Sequence, residues 1–447
     1  MYTRWKWAFL TMMSGAPWGP DSWKRFPCLQ IPEYPDAAGL EHVKARIRAS
    51  PPLVFGGEVR KLRETLIEVN EGKAFLFQAG PCAETFEGHD IREIKKLFTV
   101  MVQSSLIMGF LMEKKVVRIG RIAGQYAKPR SEYFEKDNKT MTYRGDIMHG
   151  FEDRSLDPER LQTAYFHSAT ALNALRSFAK SGDLDIARIH EWIVPVVDSK
   201  RYSEFVTRLR QTVRFLQNTG GTLDLREPEF FVSHEALLLH YEEALTRRES
   251  RSGLWYNCAA HTVWLGERTR ESPAHLEYLR GIDNPIGIKV GPTTRLDDLS
   301  EILCTLNPTH AKDKIMLISR MGADRIEEAL PPLLEGLKSR NLPFLLMCDP
   351  CHANTKSLHG IKTRYVETML AEIRGFFSVC EATGVIPGGI HLEISGSPLT
   401  ECIDEDHVSS EDLTRNYQTR VDPRLNNRQM IDTAFFVGTR FPPGFAP

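Results

Sequence analysis

Cysteine, long apolar runs and an excess of charge of either sign are all scarce in this chain. Only 8 of 447 residues are cysteine, and most stand in apolar segments, so we expect buried free thiols in a reducing compartment instead of a disulfide framework. No apolar run approaches the roughly 20 residues that span a bilayer. Lys plus Arg total 57 and Asp plus Glu total 58, so no basic field indicates a nucleic-acid-binding protein.

The first residues also lack the features of a secretion signal. Their apolar patch, Trp7 to Leu10, is too short for the hydrophobic region of a signal peptide, and no small-residue cleavage site closes it. A downstream start at Met12 or Met13 is an alternative that the sequence leaves open. We therefore expect a cytoplasmic protein, or a plastid protein if the source is a plant or alga.

A change of pattern near residue 70 divides the chain. Residues 1–70 form an extension rich in Pro and Trp, with two helical patterns near 39–50 and 57–70. We expect it to pack on the main body or on a neighbouring subunit. From residue 71 to 447, short apolar runs alternate with amphipathic helical stretches, which predicts a single catalytic domain.

Eight of these apolar runs are candidate strands, and alternation with helices favours a (β/α)8 TIM barrel over a doubly wound open sheet. A helical insertion at about 155–225 precedes the third strand, and within it Glu204–Gln217 carries a helical apolar stripe. The predicted strands are Ala74–Gln78, Val116–Gly120, Glu229–Val232, Leu254–Cys258, Ile286–Val290, Ile315–Ser319, Phe344–Met347 and Ile390–Glu393.

The motif from Cys348 to His352 has the Cys-x-x-Cys-His pattern of covalent haem attachment. It ends an apolar run and opens a polar loop, which is a common position for an active-site ligand. Haem attachment takes place outside the cytosol, and the chain has no recognisable signal peptide. We predict that His352 binds a metal and that Cys351 is incidental, with a haem or thiol redox protein as the alternative.

In a barrel, catalytic groups gather at the carboxyl ends of the strands, and two sets of residues stand there. One thiol, one imidazole and two carboxylates would suit Mn²⁺, Co²⁺, Fe²⁺ or Zn²⁺, although each could equally be an ordinary core residue: Cys82, His352, Glu393 and Asp422. The second set is cationic and suits phosphate and carboxylate groups, with surface salt bridges as the alternative: Arg121, Lys128, Arg130, Arg268, Lys289 and Arg320.

Eight motifs spread over the chain resemble those of type II 3-deoxy-D-arabino-heptulosonate 7-phosphate (DAHP) synthases. The resemblance extends from about residue 23 almost to the end. The motifs are Arg121-Ile122-Ala123-Gly124-Gln125-Tyr126-Ala127-Lys128-Pro129-Arg130-Ser131, Tyr143-Arg144-Gly145-Asp146, Ser233-His234-Glu235-Ala236-Leu237, Trp264-Leu265-Gly266-Glu267-Arg268-Thr269-Arg270, Gly287-Ile288-Lys289-Val290-Gly291-Pro292-Thr293, Ile318-Ser319-Arg320-Met321-Gly322, His391-Leu392-Glu393 and Asp422-Pro423-Arg424-Leu425-Asn426.

This resemblance implies a (β/α)8 barrel and a transferase, 3-deoxy-7-phosphoheptulonate synthase, at the first step of the shikimate pathway or in a related specialised pathway. It implies a metal, first of all Mn²⁺ or Co²⁺, on Cys82, His352, Glu393 and Asp422. Phosphoenolpyruvate would bind to Arg121, Glu267, Arg268, Lys289 and Arg320. Erythrose 4-phosphate would bind to Lys128, Pro129, Arg130 and Ser131.

Lys128 and Glu267 are our candidates for positioning the attacking water or moving its proton, because both stand beside the cationic set. Cys351 departs from the family pattern by replacing a residue that is not a ligand, and Pro81 by replacing an aspartate. We expect a homo-oligomer, a dimer or tetramer, and aromatic amino acids as candidate effectors of the helical insertion. A catalytically silent regulatory paralogue is the remaining alternative.

Overall fold

The computed structural model describes residues 17–135, 137, 139–181, 200–218, 229–404, 408–442 and 445. After a 3-10 turn at Ser22–Arg25, its helices are α1 Ala37–Ala49, α2 Gly56–Asn70, α3 Ile91–Met112, α4 Glu159–Lys180, α5 Lys200–Asn218, α6 Leu239–Leu245, α7 Pro273–Arg280, α8 Leu296–Leu306, α9 Ile326–Ser339, α10 Val366–Thr383 and α11 Asn427–Arg440. The strands are β1 Ala74–Gly80, β2 Lys115–Gly120, β3 Phe231–Glu235, β4 Thr246–Arg248, β5 Trp255–Asn257, β6 Thr262–Leu265, β7 Ile286–Val290, β8 Ile315–Ser319, β9 Leu345–Cys348, β10 Lys356–Leu358, β11 Ile361–Thr363 and β12 Pro387–Glu393.

Eight parallel strands close into a barrel in the order β1-β2-β3-β6-β7-β8-β9-β12, and β12 pairs again with β1. Every residue of β1, β7, β8 and β12 is buried. Continuous burial is expected of parallel strands whose outer face is covered by helices. The predicted (β/α)8 barrel is confirmed, and the open-sheet alternative is wrong.

The prediction of the fourth strand was wrong. Trp255–Asn257 lies outside the barrel and pairs antiparallel with β4, whereas Thr262–Leu265 takes the barrel position between β3 and β7. Both runs are short and apolar, so their periodicity does not separate them. The chain turns between them because the Asn284 amide donates hydrogen bonds to the carbonyls of Asn257 and Ala260, at 2.9 and 3.1 Å.

The third strand is also displaced from its predicted position. It begins at Phe231 and runs through Ser233, His234 and Glu235, which were expected to follow it. Polar residues of this kind usually indicate a loop. Two of them have buried partners inside the barrel: Ser233 Oγ accepts from Gln78 Nε2 at 2.9 Å, and His234 Nε2 lies 2.8 Å from a carboxylate oxygen of Glu242.

The helices of the extension and the insertion agree with the sequence patterns where the structure describes them. The extension contains α1 and α2, and the apolar stripe of the insertion falls within α5. Residues 182–199 and 219–228 of the insertion, and the question of residues 1–13, lie outside the described residues.

Among the described helices, α3 alone is long and apolar enough to cross a bilayer by composition. Its apolar window is 61% buried within the protein, and it packs along α11. A Cβ atom at Gly438 would lie 2.7 Å from the Leu111 side chain, so glycine permits the close approach of the two helices. We conclude that α3 is a core helix of the barrel's outer layer.

Candidate active site

Four side chains predicted as metal ligands meet at the carboxyl end of the barrel. The ligand atoms of Cys82, Glu393 and Asp422 lie within 4.8 Å of one another, and His352 Nε2 lies 3.0 Å from Glu393 Oε1. Cys82 and Asp422 are 340 residues apart in the chain, so only the closure of the barrel brings them together. We call these four residues the ligand corner.

The chemistry of the ligand corner fits a divalent cation. Thiolate, imidazole and carboxylate together form a donor set of intermediate softness. The Lys128 ammonium stands where the ligands converge, 2.9 Å from Cys82 Sγ and 2.7 Å from Asp422 Oδ2. A positive charge is therefore already required there to compensate the buried anions.

His352 is oriented for a cation by Asp349. Its Nδ1 lies 2.7 Å from Asp349 Oδ2, which fixes the ring and turns Nε2 toward Glu393 Oε1, 3.0 Å away. Metal-binding histidines are commonly oriented by such a carboxylate. Asp349 is fully buried and also pairs with Lys289, which links the ligand corner to the cationic set.

Glu393 is held as an anion by resident cations. Its Oε1 lies 3.1 Å from Arg121, and its Oε2 lies 2.7 Å from Arg364. Burial alone would raise the pKa of Glu393, but His352, Arg364, Lys128 and Arg121 hold it well below its usual value. The carboxylate can thus receive a metal ion without first losing a proton.

A solvent-open cleft with about 480 Å³ of free space adjoins the ligand corner, and we call it the cationic cleft. Arg320 pairs there with Glu267, and its NH2 donates to the His352 carbonyl at 3.1 Å. Cations that converge on one cavity suit phosphate and carboxylate groups. The predicted substrate residues that line the cleft are Arg121, Lys128, Pro129, Glu267, Arg268, Lys289 and Arg320.

Two predicted substrate residues stand at the edge of this cleft instead of lining it. Ser131 is exposed, and its Oγ accepts hydrogen bonds from Arg268 Nε and NH2 at 3.2 and 2.6 Å. Arg130 is half-buried, and its backbone N–H donates to Gln30 Oε1 at 2.9 Å. The structure therefore brings Ser131 against the cationic set but fixes Arg130 through its backbone.

Arg121 is fixed by a buried chain of hydrogen bonds. NH1 bonds His391 Nε2 at 2.7 Å, His391 Nδ1 bonds Gln78 Oε1 at 2.8 Å, and Gln78 Nε2 donates to Ser233 Oγ at 2.9 Å. Burial lowers the pKa of His391 well below its usual value, so the ring is neutral and accepts from Arg121. The guanidinium also lies 5.1 Å from the centre of the Trp264 ring. This contact and the hydrogen bonds together fix the orientation of the Arg121 side chain.

Glu235 was given no role from the sequence, yet it lines the cationic cleft. Its Oε1 is buried without a hydrogen-bond partner among the described residues. Burial raises the pKa of Glu235, and Lys128, Lys289, His352 and Arg121 oppose that shift. Its place in the Ser233-His234-Glu235 motif was the one indication available, but the motif does not tell which of its polar residues faces the cleft.

The haem interpretation of the motif at Cys348 is wrong. Cys348 and Cys351 are both fully buried within the main hydrophobic core, so neither thiol is accessible to a haem vinyl group. Cys351 Sγ accepts a hydrogen bond from the Glu393 backbone N–H at 3.3 Å. The ligand atoms that cluster are those of Cys82, Glu393 and Asp422, and the incidental role of Cys351 stays a prediction.

The chain is similar to known proteins over nearly its whole length. A family model described as the class-II DAHP synthetase family matches residues 18–438. The chain is 40% identical over 440 residues to the phospho-2-dehydro-3-deoxyheptonate aldolase of Streptomyces coelicolor, covering 95% of this chain and 98% of that protein. With the enzyme of the same name from Neurospora crassa it shares 40% identity over 454 residues, covering 95% and 94%.

A third relative is phospho-2-dehydro-3-deoxyheptonate aldolase AroG of Mycolicibacterium smegmatis, 36% identical over 429 residues, with 92% of each chain covered. The solved structure of the phospho-2-dehydro-3-deoxyheptonate aldolase from Francisella tularensis SCHU S4 gives a TM-score of 0.46 at 16% identity, covering 89% of this chain and 95% of that chain. The family expected from the motifs is confirmed: the chain belongs to the class-II DAHP synthetase family.

Proposed function

We propose that this family member condenses phosphoenolpyruvate with erythrose 4-phosphate to give DAHP and inorganic phosphate, the first step of the shikimate pathway. The observation that carries the proposal is the ligand corner standing directly beside the cationic cleft. Cys82 and His352 belong to both, and Lys128 lines the cleft while it contacts Cys82 and Asp422 of the ligand corner. A cation site and an anion site that share a wall suit a reaction between an aldehyde and a phosphorylated enol.

The metal would be held by Cys82, His352, Glu393 and Asp422. Mn²⁺ and Co²⁺ are the first candidates, with Zn²⁺ and Fe²⁺ as others, since this mixed donor set accepts each of them. When bound, such an ion supplies Lewis-acid chemistry that stabilises negative charge developing on the aldehyde oxygen.

The cationic cleft would bind phosphoenolpyruvate through Arg121, Arg268, Lys289 and Arg320. Two anionic substrates repel each other, and fixed cations offset that repulsion while they hold C3 of the enol near the aldehyde carbon. Glu267 would act as an exchangeable partner that keeps Arg320 in position until phosphate arrives. Erythrose 4-phosphate would bind to the segment Lys128 to Ser131, which meets the cleft through the contact of Ser131 with Arg268.

In the reaction, C3 of phosphoenolpyruvate forms the new bond to the aldehyde carbon, and the aldehyde oxygen takes up a proton. Water adds at C2 and gives a proton to a base. The bond between C2 and the phosphate oxygen then breaks, the C2 hydroxyl loses its proton as it becomes the keto group, and the departing phosphate takes up a proton. Lys128 and Glu267 are our sequence-based candidates for these proton movements. To them we add Glu235, which lines the same cleft and whose buried Oε1 has no hydrogen-bond partner among the described residues.

The proposal is tested with phosphoenolpyruvate in which the oxygen that bridges C2 and phosphorus is ¹⁸O. With both substrates present, mass spectrometry should find the seven-carbon keto acid phosphate and should find the ¹⁸O in the released phosphate. Either substrate alone should give no product. Folded, metal-loaded protein that forms no seven-carbon product would overturn the proposal.

A further inference from the structure

The amino-terminal arm, residues 17–35, follows α7 from the amino end of the barrel to its carboxyl end. Near the amino end of the barrel, Trp18 Nε1 donates to the Glu277 carbonyl at 2.9 Å. A Cβ atom at Gly281 would lie 1.9 Å from the Trp18 ring, so the seat of this ring needs glycine. Near the carboxyl end of the barrel, the Leu29 N–H donates to Ser272 Oγ at 3.2 Å. The arm therefore delivers its next residue, Gln30, to the mouth of the barrel.

Gln30 has an unusual backbone conformation, and both its carbonyl oxygen and its side-chain Oε1 face Arg144. Its φ of 69° lies in the left-handed region, which costs energy for a residue with a side chain. Its Oε1 accepts from the Arg130 backbone N–H at 2.9 Å and from Arg144 NH1 at 3.2 Å. The Gln30 carbonyl also faces Arg144 NH1, at 3.4 Å.

Arg144 extends this contact to the rest of the segment that would bind erythrose 4-phosphate. Its carbonyl accepts the Lys128 backbone N–H at 2.8 Å. Its guanidinium is buried against the Tyr133 ring, 4.9 Å from the ring centre. Nε has no hydrogen-bond partner among the described residues, so the Gln30 oxygens supply the polar contacts that hold this buried cation.

We propose that Gln30 is a positioning residue for the aldose phosphate and that the amino-terminal arm is thereby a working part of the site. This inference rests on the proposed function, because it takes Lys128 to Ser131 as the aldose phosphate segment. Without Gln30, the Arg130 amide loses its acceptor and Arg144 loses the support that fixes the Lys128 backbone. Lys289 lies on β7, Arg320 follows β8, and Arg121 at the end of β2 is held by His391 and Glu393, so the arm holds none of these three side chains.

Gln30→Gly is the sharpest variant, because glycine adopts a positive φ without strain and only the side chain is lost. Gln30→Asn is a second one, since Asn tolerates the same backbone but is one carbon shorter and cannot reach both donors. Loss of hydrogen bonds of this type predicts a rise of about five- to tenfold in the KM for erythrose 4-phosphate. The KM for phosphoenolpyruvate should stay within about twofold. Leu29→Ala, at a neighbouring half-exposed side chain, is the matched control and should change neither.

Calorimetric titration of each variant with erythrose 4-phosphate alone gives a readout that needs no turnover. A weaker affinity in both Gln30 variants, at an unchanged melting temperature, supports the proposal. An unchanged affinity, or an equal rise in both KM values, overturns it. If the wild-type protein does not form DAHP, the proposed function fails, and the titration still shows whether the arm orders an aldose phosphate site.

Discussion

The ligand corner and the cationic cleft share a wall but have opposite electrostatic designs. In the ligand corner the anions belong to the site and permanent cations compensate them, as Arg121 and Arg364 do for Glu393. In the cleft the cations belong to the site, and carboxylates form ion pairs with them in the absence of substrate, as Glu267 does with Arg320. The ligand corner is complete once a small cation binds. The cations of the cleft must exchange their carboxylate partners for each substrate molecule that binds.

Burial separates Glu393 from the Arg320–Glu267 pair in the same way. The Glu393 side chain is 0% exposed, whereas Arg320 and Glu267 are 21% and 29% exposed. Buried charges cannot lose a partner without a large penalty, but half-exposed pairs are solvated and exchange readily. We therefore expect changes in the ligand corner to abolish function and changes in the cleft to weaken binding by graded amounts.

The largest expected effect comes from removing an imidazole of the ligand corner. His352→Ala deletes one of the four proposed ligands and leaves Asp349 with Lys289 as its remaining charged partner, so bound metal should be lost and turnover should fall at least about 100-fold. Elemental analysis of the purified protein and a phosphate-release assay measure the two. Cys351→Ala, one residue away, is the control and should keep both metal and activity. A His352→Ala protein that retains metal and normal turnover would remove His352 from the ligand corner.

Glu235→Gln should give the second-largest effect, a fall of about 100-fold in kcat, since a positioned acid–base group contributes roughly this much. Its metal content and the KM for phosphoenolpyruvate should be unchanged. Burial raises the pKa of Glu235 above the usual carboxyl value. A base works only when deprotonated, so wild-type kcat should fall as pH falls through that raised pKa.

The pH profile of kcat decides between Glu235 and Glu267. The acid limb should vanish in Glu235→Gln and persist in Glu267→Gln, because Glu235 is the proposed base and Glu267 serves as the partner of Arg320. If the limb survives in Glu235→Gln and disappears in Glu267→Gln, the proton role returns to Glu267.

A smaller effect is expected where the cleft exchanges partners. Arg320→Gln keeps a donor but removes the charge, so the KM for phosphoenolpyruvate should rise about tenfold or more. Metal content should stay at the wild-type level, which sharpens the contrast with His352→Ala. Equilibrium dialysis with labelled phosphoenolpyruvate gives the affinity directly. A variant that loses metal together with affinity would show that the two regions are not separable.

The smallest effect is expected from a cation at the outer edge of the ligand corner. Lys362 Nζ lies 2.8 Å from Asp422 Oδ1, but its side chain is 48% exposed, so Lys362→Met should change metal affinity by no more than about threefold. Competition with a fluorescent chelator measures that affinity. A loss as large as that of His352→Ala would mean that exposure is a poor guide to importance in this corner.

The sequence predicts residues with strong chemistry better than it predicts geometry. Cys82, His352 and Glu393 could be nominated because each follows or ends a strand of a barrel, and Asp422 because its motif resembles that of the family. The fourth strand could not be placed, because two short apolar runs compete for it and they differ in their pairing partners, which form only when the chain folds.

Glu235 and Gln30 were missed for a different physical reason. The importance of Glu235 lies in an unpartnered oxygen, and that of Gln30 lies in a contact with a segment 100 residues away. Neither property exists before the chain folds, so residue type and spacing carry no trace of it.

Metal-dependent phosphate release tests most directly whether the ligand corner and the cationic cleft act together as one active site. The protein is treated with EDTA, desalted and supplied with phosphoenolpyruvate and erythrose 4-phosphate, and phosphate is followed before and after addition of Mn²⁺ or Co²⁺. We expect no release from the stripped protein and restored release on addition of the metal, only when both substrates are present. Equal release from the stripped and the restored protein would contradict this role of the ligand corner.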